Sequence, residues 1–367
     1  MAYSTINDPS AYFQNVLWTG DGNSTQAITN GGNSNLQPDL IWLKRRNGAE
    51  NHTWADTSRN ITGRLVSNGT SAEDTNGLHS VQSDGFTVSL SYNGNASGST
   101  YVAWQWKANG GTTTNQTGSD IDSVTQANTT SKFAICTYSG HSSASSDSSN
   151  NSGAYFRLKH GLGSVPKLAI FKKRNSSGGW YVWHHSLDPA GTTNNGSHIV
   201  LNNNTDKATE ANILWGNTAW SSTEVEIGGW DVVNRNGNTY IAYFFDEVQG
   251  YSKFGIYTGN GSTDGPFIYT GFKPAFVIYK QIDNEDNHWA IRDNARDPDN
   301  EVLLAMYANL NIADDSGGDA IAIDFLSNGF KARRTNSQVN ASGTKYIYMA
   351  FADKTLVGTN NVISLAK

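Results

Sequence analysis

Four kinds of residue in this chain could carry chemistry. Carboxylates crowd two stretches, Asp293, Asp297, Asp299 and Glu301 in one, and Asp314, Asp315 and Asp319 in the other. Oxygen-rich loops can hold Ca²⁺, but neither stretch has EF-hand spacing, and the alternative is a solvated acidic loop. Paired carboxylates could cleave a glycosidic bond only at a separation that folding alone can set. His184 and His185 follow Trp180 to Trp183, with His160 and His198 as further ligand candidates. Neighbours on a strand face opposite sides, so the pair is badly placed to share a metal, and polar packing is the expectation. Cys136 is the single cysteine and sits in the apolar run Phe133–Tyr138. It can form no intrachain disulfide and reads as a small core residue, not a thiolate. Trp215 and Trp220 lie in a polar stretch between strands. Exposed indoles there would offer flat apolar faces to a sugar ring or a neighbouring subunit, and they are the binding candidates.

Motifs that would organise catalysis are missing. The chain has no His-Glu-x-x-His, no paired cysteine ligands, no Gly-x-Ser-x-Gly elbow and no phosphate loop. Gly259-Asn-Gly261 follows a strand-like run without a helix behind it, so it reads as a hairpin turn. The expectation is a non-enzyme with no catalytic, cofactor or metal residues, Ca²⁺ in an acidic loop being the one cofactor left open.

The elements that position these residues are strands. Charged residues are 16%, below the usual ~25%. Asn, Ser, Thr and 37 Gly take their place, and aromatic residues reach 11%. Aromatic and β-branched runs divided by such residues describe short strands and polar turns, and no stretch is rich in helix formers. The net charge of −6 disfavours nucleic acid as a partner. Lys44-Arg45-Arg46, Lys172-Lys173-Arg174 and Arg333-Arg334 read as solvated strand ends. No signal peptide is visible at the N-terminus, and no run is long enough to span a membrane. The Asn-x-Ser/Thr sequons then reflect turn composition rather than glycans.

Four landmarks recur three times in one order. The first is a strand ending in an aromatic, a hydroxyl residue and Gly, at Gly20, Gly140 and Gly259. The second is Pro, five residues and Lys, at Pro38 to Lys44, Pro166 to Lys172 and Pro274 to Lys280. The third is Gly-aromatic opening a strand, at Gly85-Phe86, Gly229-Trp230 and Gly329-Phe330. The fourth is a closing strand after a polar turn, starting at Tyr101, Tyr240 and Tyr346. The fold expected is all-β, three tandem antiparallel β-sandwich repeats of the lectin or jelly-roll kind. Their bounds are 1–108, 132–248 and 249–367. The polar stretch 109–131 is expected to be a loosely packed linker. The three lysines should end their strands with ammonium groups in solvent. Glu301–Asn311 suits either a short helix or a strand.

The landmark series, running through DPSAYFQNVLWTGDG, LQPDLIWLKRR, SGSTYVAWQWKA, HGLGSVPKLAIFKKR and GFKPAFVIYK, resembles a repeated β-rich domain of uncharacterised function found in tailed bacteriophages. The resemblance covers nearly the whole chain. It departs at the Ser/Asn insertion after Gly140 and in the third landmark of the second repeat. It implies a virion protein, tail-fibre-like, and brings no catalytic motif. The expected function is therefore a structural virion component, a tail fibre or adhesin that binds the host surface or a neighbouring virion protein. Capsid decoration or a head fibre is the alternative, and a glycan-degrading enzyme a distant one. Expected partners are other virion proteins and a host surface glycan, with assembly as a homo-oligomer, no membrane insertion and no nucleic acid.

Overall fold

A computed structural model describes residues 4–90, 94–144, 151–187, 196–209, 213–216, 218–284, 286–315 and 320–355. The chain is all-β, with several antiparallel sheets, none of them closed. The first segment holds β1 (Phe13–Thr19), β2 (Thr25–Ile28), β3 (Leu40–Arg45), β4 (Thr53–Asp56), β5 (Ser80–Gln82), β6 (Gly85–Ser89) and β7 (Thr100–Trp106). Then come β8 (Thr114–Gln116), β9 (Ser123–Asn128), β10 (Phe133–Ser139), β11 (Asn151–Lys159), β12 (Leu168–Lys173), β13 (Trp180–His184), β14 (Ser197–Val200), β15 (Ala208–Thr209), β16 (Glu224–Gly229) and β17 (Thr239–Phe245). The last segment holds β18 (Ser252–Thr258), β19 (Phe267–Tyr269), β20 (Phe272–Gln281), β21 (Ala290–Asp293), β22 (Met306–Tyr307), β23 (Ile323–Leu326), β24 (Gly329–Ala332) and β25 (Lys345–Thr355).

Three large sheets share one strand order: β1-β7-β3-β4, β10-β17-β12-β13 and β18-β25-β20-β21. The second extends past β13 into β14 and β15, and past β10 into β9 and β8; the third extends into β22. Even the register repeats, with Phe13 opposite Trp106, Phe133 opposite Phe245 and Ser252 opposite Phe351. Smaller sheets, β2-β6-β5, β11-β16 and β19-β24-β23, supply further strands to each segment.

Alternation along the strands explains the layering. On β7, Tyr101 and Ala103 join Phe86 and Val88 of the small sheet in one cluster. Val102, Trp104 and Trp106 point the other way, into a core shared by all three segments. That core unites Trp42, Trp54 and Trp104 with Ile170, Trp180 and Tyr243, and with Phe276, Ile291 and Phe351. A fully buried aromatic side chain removes ~150–250 Å² from water. At ~25 cal/mol per Å² this contributes roughly 4–6 kcal/mol as an upper bound.

Recurring glycines mark close approaches. A side chain at Gly20, Gly140 or Gly259 would run into the backbone of Ala96, Arg235 or Ala341 respectively. Those are the polar turns that precede the closing strands. In each, an Asn ties the two loops: Asn95 Oδ1 accepts from the Asp21 N–H, Asn234 Oδ1 from His141 and Asn340 Oδ1 from Asn260. Gly259-Asn-Gly261 is thus a turn held to its neighbour.

Several expectations are corrected. Residues 109–131 are not a loose connector throughout, because β9 pairs along β10 and Ser123, Thr125 and Gln126 are buried. Lys44, Lys172 and Lys280 are wholly buried, because the ends of their strands meet a neighbouring part of the chain instead of solvent. Pro38 and Pro166 precede their strands, whereas Pro274 lies inside β20 at a register irregularity, where a missing donor is tolerated. Gly229 closes β16 and Trp230 follows it, while Gly85 and Gly329 open β6 and β24. Residues 301–311 form no helix and contribute only β22.

Candidate functional site

The polar groups of greatest chemical interest lie where segments meet, and their contacts run cyclically. The N–H groups of Asp314, Glu73 and Lys207 donate to the carbonyls of Arg46, Arg174 and Ile282 at 2.7, 2.7 and 3.0 Å. These bonds join the first segment to the third, the second to the first and the third to the second. Equivalent aromatic positions follow the same circuit. His52 Nε2 lies 3.0 Å from Tyr307 O, Trp180 Nε1 donates to Val66 O at 2.8 Å and Trp289 Nε1 to Val200 O at 3.0 Å. The lysine of each Pro-to-Lys strand sits beside these points. Lys172 Nζ donates to Lys173 O at 2.9 Å and Thr70 O at 3.3 Å, and Lys280 Nζ to Gln281 O at 2.8 Å and Asn204 O at 3.4 Å. Lys44 Nζ uses Arg45 O and Gly48 O. Burial pushes all three ammonium groups down to about 8.

Two of the three boundaries hold a buried acid–arginine pair. Asp56 Oδ2 accepts from Arg59 Nε at 2.7 Å and from the Tyr243 hydroxyl at 2.8 Å. Asp293 Oδ2 accepts from Arg296 Nε at 2.5 Å and from Trp104 Nε1 at 3.0 Å. A second carboxylate completes each group, Glu73 at 3.5 Å from Arg59 and Asp314 at 2.9 Å from Arg296. Burial opposes the charge on both guanidiniums, but the adjacent carboxylates outweigh it and raise both. The third boundary differs, with His184 and Leu187 at the corresponding places. His184 Nδ1 accepts the Ser186 N–H, its Nε2 faces Tyr348 O at 3.3 Å, and burial pushes the ring down to about 3. Beside it lies an apolar cavity of about 20 Å³ lined by Trp42, Ile170, His184, Trp289, Ile347 and Met349 among others. It is too small for an organic ligand.

The residues singled out in the sequence are dispersed. Asp293 belongs to the buried pair. Asp297 Oδ2 accepts from the N–H groups of Leu303 and Leu304, and Asp299 is exposed. Glu301 pairs with Arg333 and Arg334. Asp314 is divided between Arg46 and Arg296, Asp315 accepts from the Tyr307 hydroxyl, and Asp319 lies outside the described residues. Among the described residues, no three His, Cys, Asp or Glu side chains are grouped to hold a metal. His184 and His185 stack, with ring centroids 4.9 Å apart, because β13 ends at His184. Burial raises the Cys136 thiol to about 12.

Trp215 and Trp220, expected on the surface, are 0% and 6% exposed. Their indole N–H groups donate to Ser197 O and Glu226 O, and Trp220 packs on Trp183 with centroids 4.2 Å apart. The polar residues around them hid an inward-facing pair. Among the described residues, the exposed aromatics are instead Phe267 and Tyr269 on β19, at 45% and 53%. Alternation around buried Ile268 was the readable sign. The Asp-x-x-Arg spacing shared by Asp56–Arg59 and Asp293–Arg296 is likewise present in the sequence.

Among the described residues, two accessible surfaces carry features suited to binding. One is the outer face of β19-β24-β23, where the register lines Phe267 with Lys331 and Asp324, and Tyr269 with Gly329 and Leu326. The other is a groove of about 320 Å³ beside β1, between Phe13–Leu17 and Ala275, Ala352 and Asp353. Neither gathers a nucleophile with a base.

An all-β chain with a shared core and polar locks between its segments is thus the class of protein that the structure defines. The chain belongs to the family described as Domain of unknown function (DUF7483), whose model matches residues 8–355, all three segments together. No curated protein and no solved structure matches the chain.

Proposed function

We infer that the chain is a non-enzymatic structural and binding component of a tailed-phage virion. In this reading residues 1–108, 132–248 and 249–367 are copies of one lectin-like sandwich unit, drawn into a closed circuit. The observation that carries it is the use of the charged groups: acids and arginines at the boundaries hold segments to one another instead of converging on a cleft. Such a body suits a fixed place in an assembly, as a tail fibre or adhesin, with other virion proteins or further copies of itself as partners. The same body would also serve as a capsid decoration. The sequence resemblance, not the geometry, supplies the phage setting.

A host glycan would be met by Phe267 and Tyr269, since aromatic faces with polar groups beside them suit sugar rings. The test is quantitative protein analysis of purified particles, followed by adsorption of particles carrying Phe267→Ala and Tyr269→Ala. The reading expects the intact chain at fixed stoichiometry and weaker adsorption by the variant. Absence from particles refutes the structural role, and normal adsorption removes the glycan surface. Release of reducing sugar from host polysaccharide, lost on replacing a carboxylate, would establish an enzyme instead.

A further inference from the structure

We propose that the groove beside β1 is a strand-acceptor site that takes an extended segment of a separate polypeptide, antiparallel to β1. The three equivalent strands β1, β10 and β18 differ in what lies along their outward edges, a difference independent of the virion reading.

Each of these strands pairs on one side with the closing strand of its own segment. The outward edge of β10 carries β9, with Asn128 opposite Phe133, Gln126 opposite Ile135 and Val124 opposite Thr137. Besides the ladder, β9 grips the preceding segment. Gln126 Oε1 accepts from the N–H groups of Gly111 and Asn109 at 2.7 and 3.2 Å, and its Nε2 donates to the hydroxyls of Thr57 and Ser58 at 2.9 Å each. Asn128 Nδ2 donates to Ala108 O at 3.0 Å. A strand therefore fills the space between an edge and the neighbouring segment at one boundary.

The corresponding space beside β1 is open among the described residues. Lys107 N–H donates to Tyr12 O and Gly20 N–H to Ser99 O, which fixes the parity of the β1–β7 ladder. Residues 14, 16 and 18 bond to β7, so the backbone groups of Phe13, Asn15 and Leu17 point outward. The far wall of the groove takes the place of the wall that β9 grips, with Ala295 where Ser58 stands. By register Asn294 stands where Thr57 does, and Asp353 where Ala108 does. Asn15 Nδ2 already reaches across to Ala275 O at 3.2 Å and Asn294 Oδ1 at 2.9 Å. Asn15 and Val16 are half-buried, whereas their counterparts Ile135 and Cys136 are fully buried. The third edge is different, because the His185 ring lies 3.1 Å from the outward carbonyl of Phe254 on β18. The occupant is thus an extended strand of about six residues with free backbone donors, bearing a carboxamide or hydroxyl opposite Asn15, as Gln126 stands opposite Ile135.

A fluorescein-labelled peptide with the sequence of Asp120–Ser131 is the probe, titrated into the full chain and read by anisotropy and amide exchange. The expected result is saturable one-site binding that slows exchange at Asn15 and Leu17. Leu17→Pro removes an outward donor without touching the β7 ladder, and should weaken binding about tenfold or more. Ile256→Pro, the same change on β18, should leave binding unaltered. Exchange protection in the unmodified chain keeps the test valid if Leu17→Pro unfolds. No binding, protection elsewhere than β1, or affinity unchanged by a folded Leu17→Pro chain overturns the proposal. So does binding seen only after removal of residues 356–367, which would make the chain's own end the occupant.

Discussion

Single residues decide how firmly the segments hold. Asp56 and Asp293 each neutralise a guanidinium that has no access to water. Removing one partner of such a pair leaves an uncompensated buried charge, at ~3–5 kcal/mol. Asp56→Asn and Asp293→Asn should each lower stability on that scale in urea unfolding, and Arg59→Met added to Asp56→Asn should recover part of the loss. A double variant whose loss equals the sum of the Asp56→Asn and Arg59→Met losses would mean that the pair is not coupled. The buried lysines make a prediction about pH. Their folded pKa of about 8 lies below the ~10.4 of an exposed lysine. Below about pH 8 both states are protonated and the full burial penalty is present. Above it the folded state releases protons first, so stability rises with pH through the window. Cys136 and the buried tyrosines, raised by burial, act in the opposite sense as pH passes their ordinary values. The rise should therefore be sharpest from about pH 8 to 9. Urea midpoints should climb there, and replacing Lys44, Lys172 and Lys280 with Met should flatten the climb.

At the scale of elements, β9 is the strand whose role was least legible. Its residues, Ser-Val-Thr-Gln-Ala-Asn, are too polar to announce a buried strand. Only the edge of β10 and the groups waiting on Thr57, Ser58 and Gly111 make that polarity useful. Gln126→Ala should leave those groups unpaired and cost ~1–3 kcal/mol. Limited proteolysis would report it: cleavage within 123–128 should be slow in the parent chain and fast in the variant. Early cleavage there in the parent would restore the loose linker. The Pro-to-Lys strands were legible for the opposite reason. Their apolar runs can only be satisfied between two layers, and β3, β12 and β20 lie inside their sheets.

The whole molecule should behave as one cooperative unit. An excised 132–248 segment would expose Phe133, Ile170, Trp180 and Tyr243, which face the shared core. Calorimetry should give a single transition for the full chain. The excised piece should lack a cooperative transition or associate through its apolar face. Three resolved transitions, or a stable monomeric fragment, would show that the segments are independent. The family match across all three segments accords with this expectation.

Local order was within reach of the sequence because strand periodicity, turn glycines and the threefold recurrence are properties of short stretches. The all-β class, the Pro-to-Lys strands and the hairpin at Gly259-Asn-Gly261 follow from them. Direction in space is not a local property. Trp215 and Trp220 sit among polar residues yet turn inward, and Lys44, Lys172 and Lys280 end strands yet meet carbonyls instead of water. Asp293 looked like one of four clustered acids, and folding paired it with Arg296 while sending Glu301 to Arg333 and Arg334. Some deciding partners are local, as Arg296 is to Asp293, but Thr70 for Lys172, Asn204 for Lys280 and Ser197 for Trp215 come from another strand or another segment. The free energy of a buried polar group depends on whether such a partner arrives, which only the closed packing of the three segments determines.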